Sequence, residues 1–245
     1  MYSAKARALA IDTRLRIGLQ STEFIDVYRA ASTFHITCIK RPLESNISGA
    51  TVKANNTVHI ILINSSKSLG HQNFTVAHEL YHCLYDEGIQ NRACVVELFN
   101  KRPATEQVAE LFAVYLLMPE DGILNQLKIR SKVDEKPSLA DVIHLEQFFG
   151  VSRKAMCWRL EELNLISKQD GREFSIDVIQ TAKMLGKDTA LYEPTYETTL
   201  LSDYAEKAKE ALDKGLITPS RYEEIRADAG LLEPLQIEDD SESAK

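Results

Sequence analysis

His78-Glu79-Leu80-Tyr81-His82 constrains this chain more than any other stretch. On an α-helix, residues four apart share a face and lie about 6 Å apart along the axis. Two imidazoles so placed converge on one metal ion at roughly 2.0–2.1 Å each. Glu79 falls about 100° round the helical wheel from His78, beside such an ion and not on it. A carboxylate there takes a proton from water at the metal, the role of a general base. The flanks support a helix: Phe74-Thr75-Val76-Ala77 leads in, Cys83-Leu84-Tyr85 continues, and neither Pro nor Gly interrupts before Gly88.

A third ligand separates a metal site from coincidence. One class of sites takes it just downstream, as H-E-x-x-H-x-x-G-x-x-H. Here Tyr85 stands at the Gly position and Gly88 at the last His. Asp86 follows His82 by four, but three ligands spread over about 12 Å of one straight helix do not surround one ion. The third donor is therefore expected from a second helix, as in two-His-plus-Glu sites. Residues 105–118 fit, with high helix propensity and Pro119 marking the end. Glu106 and Glu110 share one face of that helix, continued by Ala113 and Leu117. Glu106 is expected as the third ligand. Glu110 is expected to accept the other ring N–H of a ligating His and fix its tautomer. The reverse assignment stands beside this one, Glu97 is a weaker candidate, and a Glu pair on a helix is otherwise a solvated face.

These residues resemble a known family. Phe74-Thr75-Val76-Ala77-His78-Glu79-Leu80-Tyr81-His82, followed by Glu106-x-x-Ala109-x-x-Phe112-Ala113-x-x-Leu116-Leu117-Met118-Pro119, is similar to the ImmA/IrrE metallopeptidases. Their motifs read F-T-x-A-H-E-L-G-H and E-x-x-A-N-x-F-A-x-x-L-L-M-P. The match includes Ile47-Ser48-Gly49 and the strand ending Ile61-Leu62-Ile63-Asn64, and covers residues 20–120 well. Two positions depart from it: Tyr81 replaces a Gly, narrowing the space above the metal, and Glu110 replaces an Asn or Asp. Neither change removes a ligand or the base. The resemblance implies a zincin-like fold with zinc, or manganese as the alternative ion, on His78, His82 and Glu106. It also implies a substrate, an XRE-type helix-turn-helix transcriptional repressor often encoded next door. A single cut releases such a repressor from DNA in mobile-element, stress or defence programmes.

Composition narrows the rest. The chain has 245 residues, 44% hydrophobic and 27% charged, with no apolar run long enough to span a bilayer. Residues 1–7 lack the apolar core of a signal peptide. Cys38, Cys83, Cys94 and Cys157 are scattered without disulfide spacing, so a cytoplasmic protein without membrane contact is expected. Net charge is −7, so DNA contact would need a local basic patch.

The pattern predicts an α+β fold. Helices are expected over 3–18 and 22–33, then strands over 35–41, 47–53 and 57–64, with Asn55-Asn56 as a hairpin turn. A sheet edge beside the metal helix would let an extended substrate add as a strand. Residues 1–122 are read as a zincin-like peptidase domain: small sheet, H-E-x-x-H helix and Glu helix. Residues 123–190 are read as a helix-turn-helix-like domain. There, an amphipathic helix over 138–149, the turn Gly150-Val151-Ser152 and a helix over 153–163 carry Arg153, Lys154 and Arg159. Such pairs are often packing modules, and direct DNA binding is the lesser expectation. Residues 191–236 are read as a C-terminal helical extension with helices over 202–214 and 220–229, and 237–245 as a disordered acidic tail.

Other residues carry weaker suggestions. Cys94, between the two metal-bearing helices, can supply a switch thiol as a fourth ligand, although a thiol without a role is commoner. His71, His144, Tyr81, Tyr85 and Tyr115 are interchangeable candidates for stabilising an oxyanion. The leading expectation is a zinc endopeptidase with Glu79 as base. A DNA-binding regulator with a vestigial or structural metal site is the alternative, and an interaction module acting by contact alone is the third reading. Intact Glu79 argues against the alternative, since a structural site needs no base.

Overall fold

The computed structural model describes residues 2–54, 58–86, 91–94, 103–130 and 135–228. They fall into two compact units, 1–201 and 202–245. The first opens with α1 (Tyr2–Arg16) and α2 (Val27–Thr33), then β1 (Ile36–Arg41), β2 (Gly49–Ala54) and β3 (Val58–Asn64). The motif helix α3 (Leu69–Tyr85), β4 (Asn91–Cys94) and α4 (Ala104–Leu117) follow. Next come α5 (Glu120–Ile129), α6 (Leu139–Phe149), α7 (Arg153–Glu162), α8 (Lys168–Phe174) and α9 (Val178–Met184). A 3₁₀ turn (Ala190–Tyr192) and β5 (Thr199–Leu201) complete this unit. The second unit is the pair α10 (Tyr204–Asp213) and α11 (Pro219–Asp228), packed on each other, with Ala208 and Ile225 buried.

The α+β class is borne out. One sheet runs in the order β4-β2-β3-β1-β5. β2 and β3 pair antiparallel from Gly49↔Ile63 to Ala54↔Val58, while β1 and β3 are parallel. The expected turn Asn55-Asn56 lies outside the described residues. β4 and β5 were not expected; they form the two edges, antiparallel to β2 and β1. α2 starts later than expected, at Val27. Asp26 caps it, accepting hydrogen bonds from the Tyr28 and Arg29 amides at 3.0 and 3.1 Å. No helix among the described residues is long and apolar enough to cross a membrane.

α3 lies at the centre. Every residue from Phe74 to Cys83 is buried, so this helix is enclosed all round rather than on one stripe. Ile36 and Cys38 of β1, Ile61 and Ile63 of β3, and Ala109, Phe112 and Leu116 of α4 share its core. Phe112 packs its ring 5.7 Å from both the Tyr81 and Tyr85 rings, holding α4 against α3. Arg14 of α1 is buried and fully used. It donates to Leu116 O at 2.7 Å, and also to the Gln20 and Glu23 carbonyls.

The helix-turn-helix layout is present, and its turn docks on the start of α3. Gly150 takes the left-handed conformation (φ 65°) that ends α6, and Ser152 caps α7. Asn73 Nδ2 donates to Gly150 O at 2.8 Å. A Cβ on Gly70 would lie 2.8 Å from Ser152 N, so only glycine admits this contact. Two of the three cations on α7 point inward: Arg153 and Arg159 are 2% and 1% exposed. Arg153 forks onto Glu146 at 2.5 and 2.7 Å and donates to Phe174 O at 2.7 Å. Arg159 donates to Met118 O at 3.0 Å and to Glu162. Lys154 alone of the three is exposed.

Arg153→Met would leave the Glu146 carboxylate buried without its cation. Chemical denaturation is expected to show a loss of about 3–5 kcal/mol, against a change within about 0.5 kcal/mol for Lys154→Ala.

Candidate metal centre

Helical spacing places His78 and His82 on one face of α3, each 1% exposed. Phe112, packed on Tyr81 and Tyr85, seats α4 so that Glu106, in its first turn and 4% exposed, meets both rings. His78 Nε2 and His82 Nε2 are 3.3 Å apart. The Glu106 oxygens lie 3.3 Å from His78 Nε2 and 3.2 Å from His82 Nε2. A tetrahedral ion bound at about 2.0 Å by each donor sets the donors about 3.3 Å apart. The triangle therefore fits a divalent cation, and these three residues can hold one.

The second nitrogens complete the test. His82 Nδ1 lies 3.1 Å from Asp86 Oδ2, which accepts its N–H and leaves the Nε2 lone pair facing the triangle. Sequence reasoning had weighed Asp86 only as a ligand. Its spacing of four from His82 was the available signal for this supporting role. Glu110, expected there, is 7% exposed and one turn beyond Glu106. His78 Nδ1 is buried, with no hydrogen bond among the described residues.

The charges are mutually dependent. Burial opposes ionisation of Glu106, but in the metal-free protein hydrogen bonds from His78 and from a protonated His82 outweigh it and hold the carboxyl well below its ordinary range. A carboxylate in the first turn is also favoured by the helix dipole. Burial likewise disfavours the His82 cation, yet the Glu106 hydrogen bond, the Glu79 charge and the Asp86 hydrogen bond raise its pKa.

Glu79 is fully buried beside this set. Its Oε2 accepts a 2.6 Å hydrogen bond from Thr51 Oγ1, and its Oε1 has no partner among the described residues. Of the five oxyanion candidates, Tyr81 packs its ring 5.4 Å from that of His82. Burial, Asp86 and Glu106 raise its pKa, so the phenol stays a proton donor. Tyr85 bonds Thr13 and Asp12, Tyr115 bonds Ser3 and Glu162, and His144 bonds Gln126. His71 Nε2 lies 2.8 Å from Ser48 Oγ, and burial lowers its pKa to about 4, so the ring is neutral. Cys94 ends β4 opposite Gly49, but its side chain and all of Glu97 lie outside the described residues.

Two imidazoles from an H-E-x-x-H helix, a carboxylate from a second helix and an adjacent buried Glu are the parts of a metallopeptidase site. A family model agrees. The peptidase family described as IrrE N-terminal-like domain matches residues 31–161, more than half of the chain, and the chain belongs to that family. The match runs past α4 through α6 and nearly to the end of α7. No curated protein matches the chain.

The raised His82 pKa gives metal binding a definite pH dependence. In the metal-free protein, a protonated His82 stabilises the fold fully below the ordinary imidazole value of about 6.5. That contribution disappears as pH rises through the raised value. A cation must displace the same proton, so its affinity should rise with pH, by up to roughly tenfold per unit for one proton. Competition with a chromophoric chelator between about pH 6 and pH 8 measures this. Asp86→Asn should weaken metal affinity about 10–100-fold in the same assay, with the ligands untouched.

Proposed function

We propose that this protein is a zinc-dependent endopeptidase that cuts an XRE-type helix-turn-helix repressor once, relieving repression. The observation that carries this reading is Glu79: a buried carboxylate with one oxygen held and the other without a hydrogen bond among the described residues, next to three converging metal donors. A site that only held an ion for stability would have no use for it.

His78, His82 and Glu106 would hold the zinc, with manganese as the alternative ion. When bound, the ion polarises the scissile carbonyl and makes water acidic near neutral pH. Glu79 Oε1 takes the proton of the attacking water, and the same carboxylate returns it to the leaving amine nitrogen. The Tyr81 phenol, still protonated and with its ring packed on that of His82, would share the oxyanion's charge. An extended substrate segment adding to β4, an edge strand of the sheet among the described residues, would be aligned by backbone hydrogen bonds.

Burial of Arg153 and Arg159 favours this reading over a DNA-binding regulator, because those guanidiniums are spent on Glu146, Glu162 and backbone carbonyls. The helix pair then serves to pack, and a repressor rather than DNA is the partner. Such a repressor places the enzyme in the cytoplasm.

Co-expression with a candidate XRE-type repressor tests the proposal. Wild type should yield one discrete repressor fragment. Glu79→Gln should keep its zinc while cleavage falls by about 10²–10⁴-fold. Cleavage by Glu79→Gln at the wild-type rate would end the hydrolytic reading. Casein should be cut poorly by both.

A further inference from the structure

β2 lies along α3 on the side of Glu79, and the seat is tight. A Cβ at Gly49 would stand 2.6 Å from Thr75 Cγ2, 2.9 Å from Leu62 O and 3.7 Å from Glu79 Cγ. Glycine therefore lets the strand approach the helix more closely than any other residue would. Gly49 and Thr51 are two apart in the strand and share a face. The approach that Gly49 permits brings Thr51, itself fully buried, to the same helix. Thr51 Oγ1 donates to Glu79 Oε2 at 2.6 Å and lies 3.9 Å from Cys83 Sγ, one turn further on. Glu79 Oε1 has no partner among the described residues.

We infer that Thr51 is a positioning residue: its hydroxyl anchors Glu79 Oε2 so that Oε1 is presented to the reacting water. This rests on the reading of Glu79 as the base. A free Glu side chain has three rotatable bonds, and a base that wanders by an ångström loses much of its effect. A hydrogen bond to an ionised acceptor is about twice as strong as a neutral one. Threonine is a suitable donor because its branched Cβ restricts χ1. A base oriented by a third group is the general arrangement of such sites. Among the described residues the Thr51 hydroxyl bonds Glu79 and Cys83 and not His78, His82 or Glu106, so its effect should reach chemistry and leave metal retention alone.

The test uses full-length protein loaded with zinc and acetohydroxamate as the probe. A hydroxamate chelates the ion and hands its proton to a neighbouring carboxylate, so its affinity reads the placement of Glu79 without a substrate. Thr51→Val and Thr51→Ala should each weaken hydroxamate binding about tenfold, the equivalent of one such hydrogen bond. Thr51→Ser, which keeps the hydroxyl, should stay within about threefold of wild type. Zinc affinity, read by chelator competition, should be unchanged in all three. On the repressor, kcat should fall in Thr51→Val with KM unchanged. Wild-type hydroxamate affinity in both Thr51→Val and Thr51→Ala overturns the positioning role. So does a loss of zinc affinity in step with hydroxamate affinity, since Thr51 would then act through the ligands. Using both variants guards against one failing to fold. Glu79→Gln separates the two readings. If it also binds hydroxamate normally, the base assignment itself has failed; if it is weakened while the Thr51 variants are not, only the positioning role is lost.

Discussion

Four ionisable side chains, His78, Glu79, His82 and Glu106, are buried together among the apolar residues of the core, and the rest of the fold is arranged around satisfying them. An isolated charge in such a place costs several kcal/mol, so each group must be paired or share an ion. Glu106 answers both imidazoles, Asp86 takes one outer ring N–H, and Thr51 holds one oxygen of Glu79. Among the described residues, His78 Nδ1 and Glu79 Oε1 have no hydrogen-bond partner, and both lie at this centre. Such a cluster persists only where packing holds its helices at fixed separation. Phe112 set between Tyr81 and Tyr85 does that for α3 and α4.

The helix pair after Pro119 belongs to the same mechanical system. Gly70, Asn73 and the left-handed Gly150 lock the α6–α7 turn onto the first turn of α3. Arg159 reaches the carbonyl of Met118 at the end of α4, and Arg153 ties α6, α7 and α8 through Glu146 and Phe174. A layout common in DNA readers is here built into the core that supports the metal donors. Its arginines are consumed by that task, which accounts for a basic helix without a basic face. The family match through residue 161 is consistent with this shared construction.

Much of the site was legible because helical periodicity is local. The i, i+4 spacing of His78 and His82, the off-face position of Glu79 and the impossibility of a third ligand on the same straight helix all follow from 3.6 residues per turn. Glu106 followed from the need for a second helix, although its choice over Glu110 depended on how α4 approaches α3. Asp86 shows the limit of that reasoning. The same spacing that ruled it out as a ligand suited it to hold the ring from behind, and only the direction of the His82 ring distinguishes the two. Thr51 carried no signal at all, being one threonine in a strand whose neighbours in space are 28 positions away. β4 and β5 were illegible for a similar reason: three or four residues of edge strand acquire their identity from a partner remote in the chain.

By itself the sequence determined the motif helix, the setting of Glu79 beside the two imidazoles, the class of fold and the family, because these depend on short-range periodicity and on residue types at fixed spacing. Tertiary structure alone decided which carboxylates meet the rings and from which side. It also decided that Arg153 and Arg159 turn inward, and that β2 comes close enough to α3 to touch Glu79. Those outcomes depend on the separation and rotation of whole elements, which are set by side-chain volumes summed over the entire core and not by any local pattern.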